Sequence, residues 1–281
     1  MAVRGPAGLH TAGFEAAAPV FSVTKMFVAT AVLRLVEQGR LRLNEQACRW
    51  VPSVPPDVTL RDLLRHTGGL PDYATDPRYL AAVRARPARP WHLDELLDLG
   101  LLSQARPPGR FHYSNLGYWL LGAVIEAVTG PGLDQQLASL VFRPAGMTAT
   151  YYPHPGAGLT VDGYDTRWAG PAGACWASAT DIVRFLALLR GGRLLSADSL
   201  AAMQAVVSVP AGRPWQDPGY GLGLMVDNGH HVAGHAGEGP GFAAAGFTKV
   251  TTGRSVAVIA PQATGVDPVQ AALDLLGSED R

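Results

Sequence analysis

The stretch F21-S-V-T-K-M-F-V-A-T-A-V-L-R-L-V-E-Q-G39 decides the fold. It reads as a helix from about Thr24 to Gln38, closed by Gly39. Thr30, Arg34 and Glu37–Gln38 are its only wide polar stripe, so the helix is expected to be central and mostly buried. Ser22 and Lys25 stand at its start, three residues apart. That spacing puts both side chains on one face, close enough to hydrogen-bond. A helix start offers free N–H groups and a partial positive charge, which suit a developing negative charge. Serine is also an ordinary helix cap. An unpaired ammonium at the foot of an apolar helix is costly, however, so Lys25 needs a partner.

The surrounding chain narrows the options. It has 281 residues, 47% apolar and 16% charged, which describes a globular chain with a sizeable core. Lys plus Arg and Asp plus Glu both total 23. This balance lacks the basic excess of nucleic-acid or membrane-surface binders. The two cysteines, Cys48 and Cys175, cannot make a disulfide framework, and neither a metal-ligand cluster nor a phosphate loop is visible. No cofactor is expected. The first residues lack an apolar signal core, and no apolar run is long enough to span a membrane. The expectation is a soluble, cytoplasmic protein.

Short strands are expected at Ala2–Val3 and Leu9–Phe14, around a Gly-Pro turn. Helices are expected over Thr59–His66, Leu93–Leu101, Leu116–Val128, Leu133–Val141, Asp181–Arg190 (capped from Ser178) and Ser196–Val206. After Pro210 the character changes. Tyr220–Val226, His230–His235, Phe242–Lys249 and Ser255–Ala260 read as strands, and Val266–Leu276 as a closing helix. This order predicts an α+β fold, with an antiparallel sheet built from both chain ends and flanked by helices. One domain over 1–281 would then comprise a helical part at 22–205 and a sheet part at 1–21 and 206–281.

Two further constellations carry chemistry. In R110-F-H-Y-S-N-L-G117, Tyr113 and Asn115 lie in an extended run before a helix, so both side chains point the same way. A phenol beside a lysine could be held ionised or share a proton and so act as a general base, and the asparagine amide could hold the lysine or a substrate carbonyl. The bland alternative is a core tyrosine and a capping asparagine. In G234-H-A-G-E-G-P-G-F242, His235 ends a strand. The glycines allow close approach to the backbone, and the Glu238 N–H could join that of Ser22 as an oxyanion donor. Here the alternative is a Gly-rich hairpin with an exposed histidine.

Together S-V-T-K, Y-S-N and H-A-G resemble the serine β-lactamase and penicillin-recognising superfamily. The likeness is to its class C-like branch of D-aminopeptidases, D,D-peptidases and esterases. Longer phrases carry it too: RDLLRHTGGLPDY at 61–73, PPGRFHYSNLGYWLLGAVIEAVTG at 107–130, RPAGMTATYY at 143–152, CWASATDIVRFLALL at 175–189 and GYGLGLMV at 219–226. The resemblance implies a β-lactamase/transpeptidase-like fold and Ser22 as the acylated nucleophile. It implies Lys25 and Tyr113 as the acid/base pair, with Tyr113 taking the serine proton. Asn115, His235, Gly237 and Glu238 would contact the substrate or its oxyanion. His235 stands where the family often has the lysine of a K-T-G triplet, a departure that points away from a dedicated β-lactamase. His66 belongs to a turn phrase and reads as structural. Only 21 residues precede Ser22, fewer than the family usually carries, and a homodimer is one way to cover an edge left open.

The expected function is therefore a serine hydrolase acting on a small-molecule ester or amide. The alternatives are an acyltransferase in natural-product biosynthesis, with Tyr151, Tyr152, Trp176 and Trp215 as walls that exclude water, or a non-catalytic binding protein. A nucleic-acid or membrane partner is not expected.

Overall fold

A computed structural model describes residues 1–5 and 8–278. The strands of its main sheet are β1 (Ala2–Gly5), β2 (Gly8–Thr11), β3 (Val207–Ser208), β4 (Pro218–Tyr220), β5 (Met225–Asp227), β6 (Val232–Gly239), β7 (Phe242–Lys249) and β8 (Ser255–Pro261). They are ordered β2-β1-β8-β7-β6-β5-β4-β3, and each neighbouring pair runs antiparallel. The chain ends meet inside the sheet, where Ala2 faces Ala257 and Val3 faces Val256. The sheet is thus assembled from both ends, as the α+β reading requires. The Gly-Pro turn between β1 and β2 includes Pro6, which lies outside the described residues.

Four helices dominate the rest: α1 (Thr24–Glu37), α2 (Asn115–Thr129), α3 (Ala179–Arg190) and α4 (Pro268–Gly277). Alternation along β7 and β8 separates two cores. Ala244, Ala257 and Ile259 face the large core that contains α1, α2 and α3. Ala245, Phe247, Val256 and Val258 face Leu273 and Leu276 of α4 on the other side. Helix α1 is the axis of the large core, with eleven of its fourteen residues buried. Phe27 on α1 meets the rings of Phe142 and Phe185 edge-on at 5.5 and 5.0 Å. The polar stripe is narrower than expected. Thr30 is fully buried and donates to the Met26 carbonyl at 2.8 Å, satisfying its hydroxyl within the helix.

Several expectations change in detail. Tyr220–Val226 is not one strand but the β4–β5 hairpin, with Tyr220 paired to Met225. Gly223 makes the turn at φ +76°, and its N–H donates to the Leu64 carbonyl at 3.1 Å. A side chain there would overlap Ala29 of α1, so glycine lets the hairpin press onto the central helix. Strand β6 begins at Val232 rather than His230 and runs on to Gly239, because residues 228–231 form the turn that feeds it. A helix at Pro77–Ala85, capped by Asp76, was not foreseen. The helices around Leu60, Leu133 and Ala197 are also shorter than expected, ending at Leu64, Leu137 and Gln204; a π-helical turn over Ala138–Phe142 continues the second.

Candidate active site

Ser22 does not cap α1. It sits in a 3-10 turn, Phe21–Val23, just ahead of the helix. Phe21 holds φ +44°, a conformation that a bulky residue rarely adopts. The turn passes against β6. A Cβ at Gly237 would run into the Ser22 nitrogen and the Val20 carbonyl, and one at Gly239 would strike the Phe21 ring. Two glycines of the sheet therefore make room for a strained turn that presents the Ser22 hydroxyl. Strand β5 pairs with β6 only from Val232 to Gly234. Beyond that point one edge of β6 is open, and there the backbone around Gly237 and Glu238 meets the serine turn.

Lys25 is fully buried and makes three hydrogen bonds. They run to Ser22 Oγ at 2.9 Å, Asn115 Oδ1 at 2.7 Å and the Ala172 carbonyl at 2.7 Å. The Tyr113 hydroxyl donates to Ser22 Oγ at 3.1 Å. Two of the three motifs, far apart in sequence, therefore meet at one serine oxygen, while the third brings Gly237 against the Ser22 backbone. Burial lowers Lys25 to about 7, and the charge of Asp72 acts in the opposite direction. Of the two states open to the phenol, its surroundings favour the protonated one. Burial pushes Tyr113 up, with the Ser22 hydrogen bond only partly offsetting it, so the lysine does not hold it ionised.

Asp72 is the site residue that sequence reasoning missed. Its carboxylate accepts from the Asn115 side-chain amide at 3.1 Å to each oxygen, and from the Asn115 and Ala74 backbone N–H groups at 3.2 Å. It thereby caps α2, the role that the bland alternative gave to Asn115, and turns the amide so that its carbonyl faces Lys25. The signal lay in the phrase G-G-L-P-D-Y, where an aspartate follows a proline turn. Nothing in that spacing says which helix it will meet.

His66 is buried, at φ +60°, and its Nδ1 accepts from the Ser114 N–H at 3.2 Å. Its ring packs on Tyr113 with centroids 4.2 Å apart, so it walls the phenol from behind. His235 is also buried rather than exposed on a hairpin. Its Nδ1–H donates to the Ala236 carbonyl at 2.5 Å, which leaves Nε2 to accept from the Tyr220 hydroxyl at 2.9 Å. Both ring nitrogens are used within the protein. Burial, reinforced by the charge of Lys25, lowers His235 to about 3, so it is neutral at pH 7. Glu238 points outward, and its Oε1 accepts from Gln262 Nε2 at 3.2 Å.

Ser22 and Tyr113 open onto a cleft of about 310 Å³, walled by His235, Gly237, Glu238 and Met225. None of the four aromatic candidates lines it. Tyr151 stacks on Trp176, Tyr152 borders two other hollows, and Trp215 packs edge-on against Phe247. Cys48 and Cys175 are both free thiols.

A strained serine turn, a buried lysine, a phenol and an open strand edge define the class of protein with which this chain compares. The Beta-lactamase family model matches residues 10–278, and the chain belongs to that family. A D-stereospecific amidohydrolase from Streptomyces sp. superposes with a TM-score of 0.82 at 27% identity, covering 91% of this chain and 86% of that one. Esterase EstB of Burkholderia gladioli is 29% identical over 73% of this chain and 64% of its own length. Penicillin-binding protein 4 of Amycolatopsis lactamdurans is 28% identical over 84% of this chain and 69% of its own length. The chain spans a smaller part of other curated relatives, 56% and 29% of two from Bacillus subtilis (strain 168).

Proposed function

We propose that this protein is a serine hydrolase that forms an acyl-enzyme on Ser22 and releases it to water, with small esters as its best substrates and amides next. The observation that carries the reading is the pair of contacts at Ser22 Oγ, to Lys25 Nζ at 2.9 Å and the Tyr113 hydroxyl at 3.1 Å. With Lys25 lowered to about 7, a large fraction is neutral at neutral pH. Its two N–H bonds then serve Asn115 and Ala172, and its lone pair faces the serine hydroxyl. Ser22 Oγ attacks the substrate carbonyl carbon as its proton passes to Lys25. The carbonyl oxygen takes the electron pair and is held by the N–H groups of Ser22 and Glu238. Tyr113, kept protonated by burial, gives its proton to the leaving oxygen or nitrogen and recovers one from Lys25. Water then repeats the sequence on the acyl group. The neutral lysine is the base and the phenol the relay, a division that the opposite shifts of the two groups support.

Matched relatives named as an esterase and an amidohydrolase support an ester or amide substrate. Hydrolysis is preferred to acyl transfer because the aromatic residues that would shield an acyl-enzyme from water lie away from the cleft. The test is intact-protein mass after exposure to a fluorophosphonate and to p-nitrophenyl acetate, beside Ser22→Ala. An adduct on Ser22 that vanishes in the variant is expected. No adduct, or one that survives the substitution, refutes the reading. Because the neutral lysine is the active form, kcat/KM is expected to rise as pH increases through about 7.

A further inference from the structure

A hollow of about 460 Å³ lies along α2, apart from the serine cleft and sharing no lining residue with it. Trp119, Ala123 and Glu126 border it from α2, and Trp91, Tyr152 and Pro171 are among its other walls. The two tryptophans are fixed: each is 7% exposed, and Trp119 Nε1–H donates to the Tyr73 hydroxyl at 3.0 Å. That volume and that aromatic lining suit a preformed small-molecule site. Two polar groups on it have bonding capacity to spare. The Tyr152 hydroxyl has no hydrogen-bond partner among the described residues; burial pushes its phenol well up, and the charges of Glu126 and Asp134 are among those that add to the effect. Glu126 accepts from the Gly132 and Leu133 N–H groups through Oε1, both at 3.0 Å, which leaves Oε2 free. Arg167, also on the lining, is engaged by both oxygens of Asp165 and by the Pro155 carbonyl.

The same hollow backs the segment that serves Lys25. Over Thr166–Ala172 the chain is kinked at Gly170, at φ +49°, where a Cβ would overlap the Trp119 ring. Pro171 fits against Gly122, where a Cβ would strike the proline ring. The next residue, Ala172, gives its carbonyl to Lys25 Nζ at 2.7 Å. Pro171 therefore borders open space while its neighbour holds the buried lysine. We propose that the hollow is a second small-molecule site, which takes an uncharged aromatic molecule bearing a hydroxyl, and that its occupant fixes the Ala172 carbonyl on Lys25. The aromatic body lies among Trp91, Trp119 and Pro171 and supplies the contacts that open space denies them. The hydroxyl donates to Glu126 and accepts from Tyr152. A carboxylate in its place meets Glu126 and Asp134 and an arginine already committed to Asp165. Neither claim needs turnover at Ser22, so failure of the hydrolase reading leaves both standing.

The test uses 4-hydroxybiphenyl, 4-methoxybiphenyl and biphenyl-4-carboxylate as calorimetric ligands of the native chain. The phenol is expected to bind at one site per chain, about fivefold more tightly than the ether, which cannot donate, with the anion weakest. Tyr152→Phe keeps the shape of the hollow and should weaken the phenol about fivefold. Ala123→Trp fills the hollow from α2 and should abolish binding, with circular dichroism checking that the variant folds. The link to Lys25 is read by NMR of ¹³C-labelled lysine. The chain has only two lysines, Lys25 and Lys249, so the assignment is direct. A fixed carbonyl favours the ammonium form, so saturating 4-hydroxybiphenyl should move the Lys25 midpoint to higher pH and cut its neutral fraction at pH 7 about threefold, the scale of coupling through packed side chains. No saturable binding, equal binding of the three compounds, or binding that survives both substitutions would overturn the site. Binding with an unmoved or lowered Lys25 midpoint would overturn the link.

Discussion

The two walls of the cleft are built by opposite means. At the foot of α1 the wall is made of side chains: Ser22, Lys25, Tyr113, Asn115 and Asp72 form one continuous hydrogen-bonded chain. Across the cleft, β6 contributes mainly backbone and missing atoms. Gly237 and Gly239 are there for what they lack, and His235 turns its polar atoms inward. One wall stores charge in a desolvated setting, where each partner must be present. The other fixes distance, because a strand edge is rigid and its N–H groups need no side-chain ordering. The first wall should therefore fail through lost chemistry and the second through lost geometry.

The sharpest way to break this contrast is Lys25→Met. It fills the volume but removes both the proposed base and the hub of the network. A loss of about 10³-fold in kcat/KM is expected, within the range for a positioned proton acceptor. The variant should keep its fold, judged by circular dichroism and thermal melting. A variant with near-native turnover would move the base to Tyr113.

Gly237→Ala tests the second wall. The added methyl meets the Ser22 nitrogen and the Val20 carbonyl, so the serine turn must move away from the strand. A fall of about 10²-fold in kcat is expected, comparable with losing one oxyanion donor. The pH midpoint should stay in place, since Lys25 is untouched. A shift of that midpoint would show that the two walls are not separable.

The smallest effect, and the most informative, is expected from Asp72→Asn. The charge of Asp72 raises Lys25 against its burial. Without it Lys25 should lose its proton more readily, so the rising limb of kcat/KM moves to lower pH. The rate itself should fall about tenfold as the Asn115 amide loses its anchor. A pH series across 5 to 9 separates the two effects, and an unmoved midpoint would remove Asp72 from the electrostatics of the site.

Much of this was legible in the chain. The apolar run after Lys25 made α1 central, since a helix without a wide polar face must be surrounded. The order of strands, helices and strands required a sheet made from both ends. The motifs around Ser22, Tyr113 and His235 picked out the proposed nucleophile, the side chains that contact it and the facing strand. Less legible were features set by neighbours distant in sequence. The 220–226 segment reads as one strand by alternation, but Gly223 lets it fold back against Ala29. Tyr151, Tyr152, Trp176 and Trp215 could have walled the cleft, but their loops carry them elsewhere.

The sequence by itself determined which groups are present and which local shapes they favour, because periodicity, caps and turns act over a few residues. Only the tertiary structure decided their states. Burial lowers Lys25 and raises Tyr113, and it neutralises His235. A chance meeting of loop and helix, invisible in any local pattern, brings Asp72 to Asn115. Basicity is a property of the surroundings, through desolvation and nearby charge, and those surroundings exist only once the chain has folded.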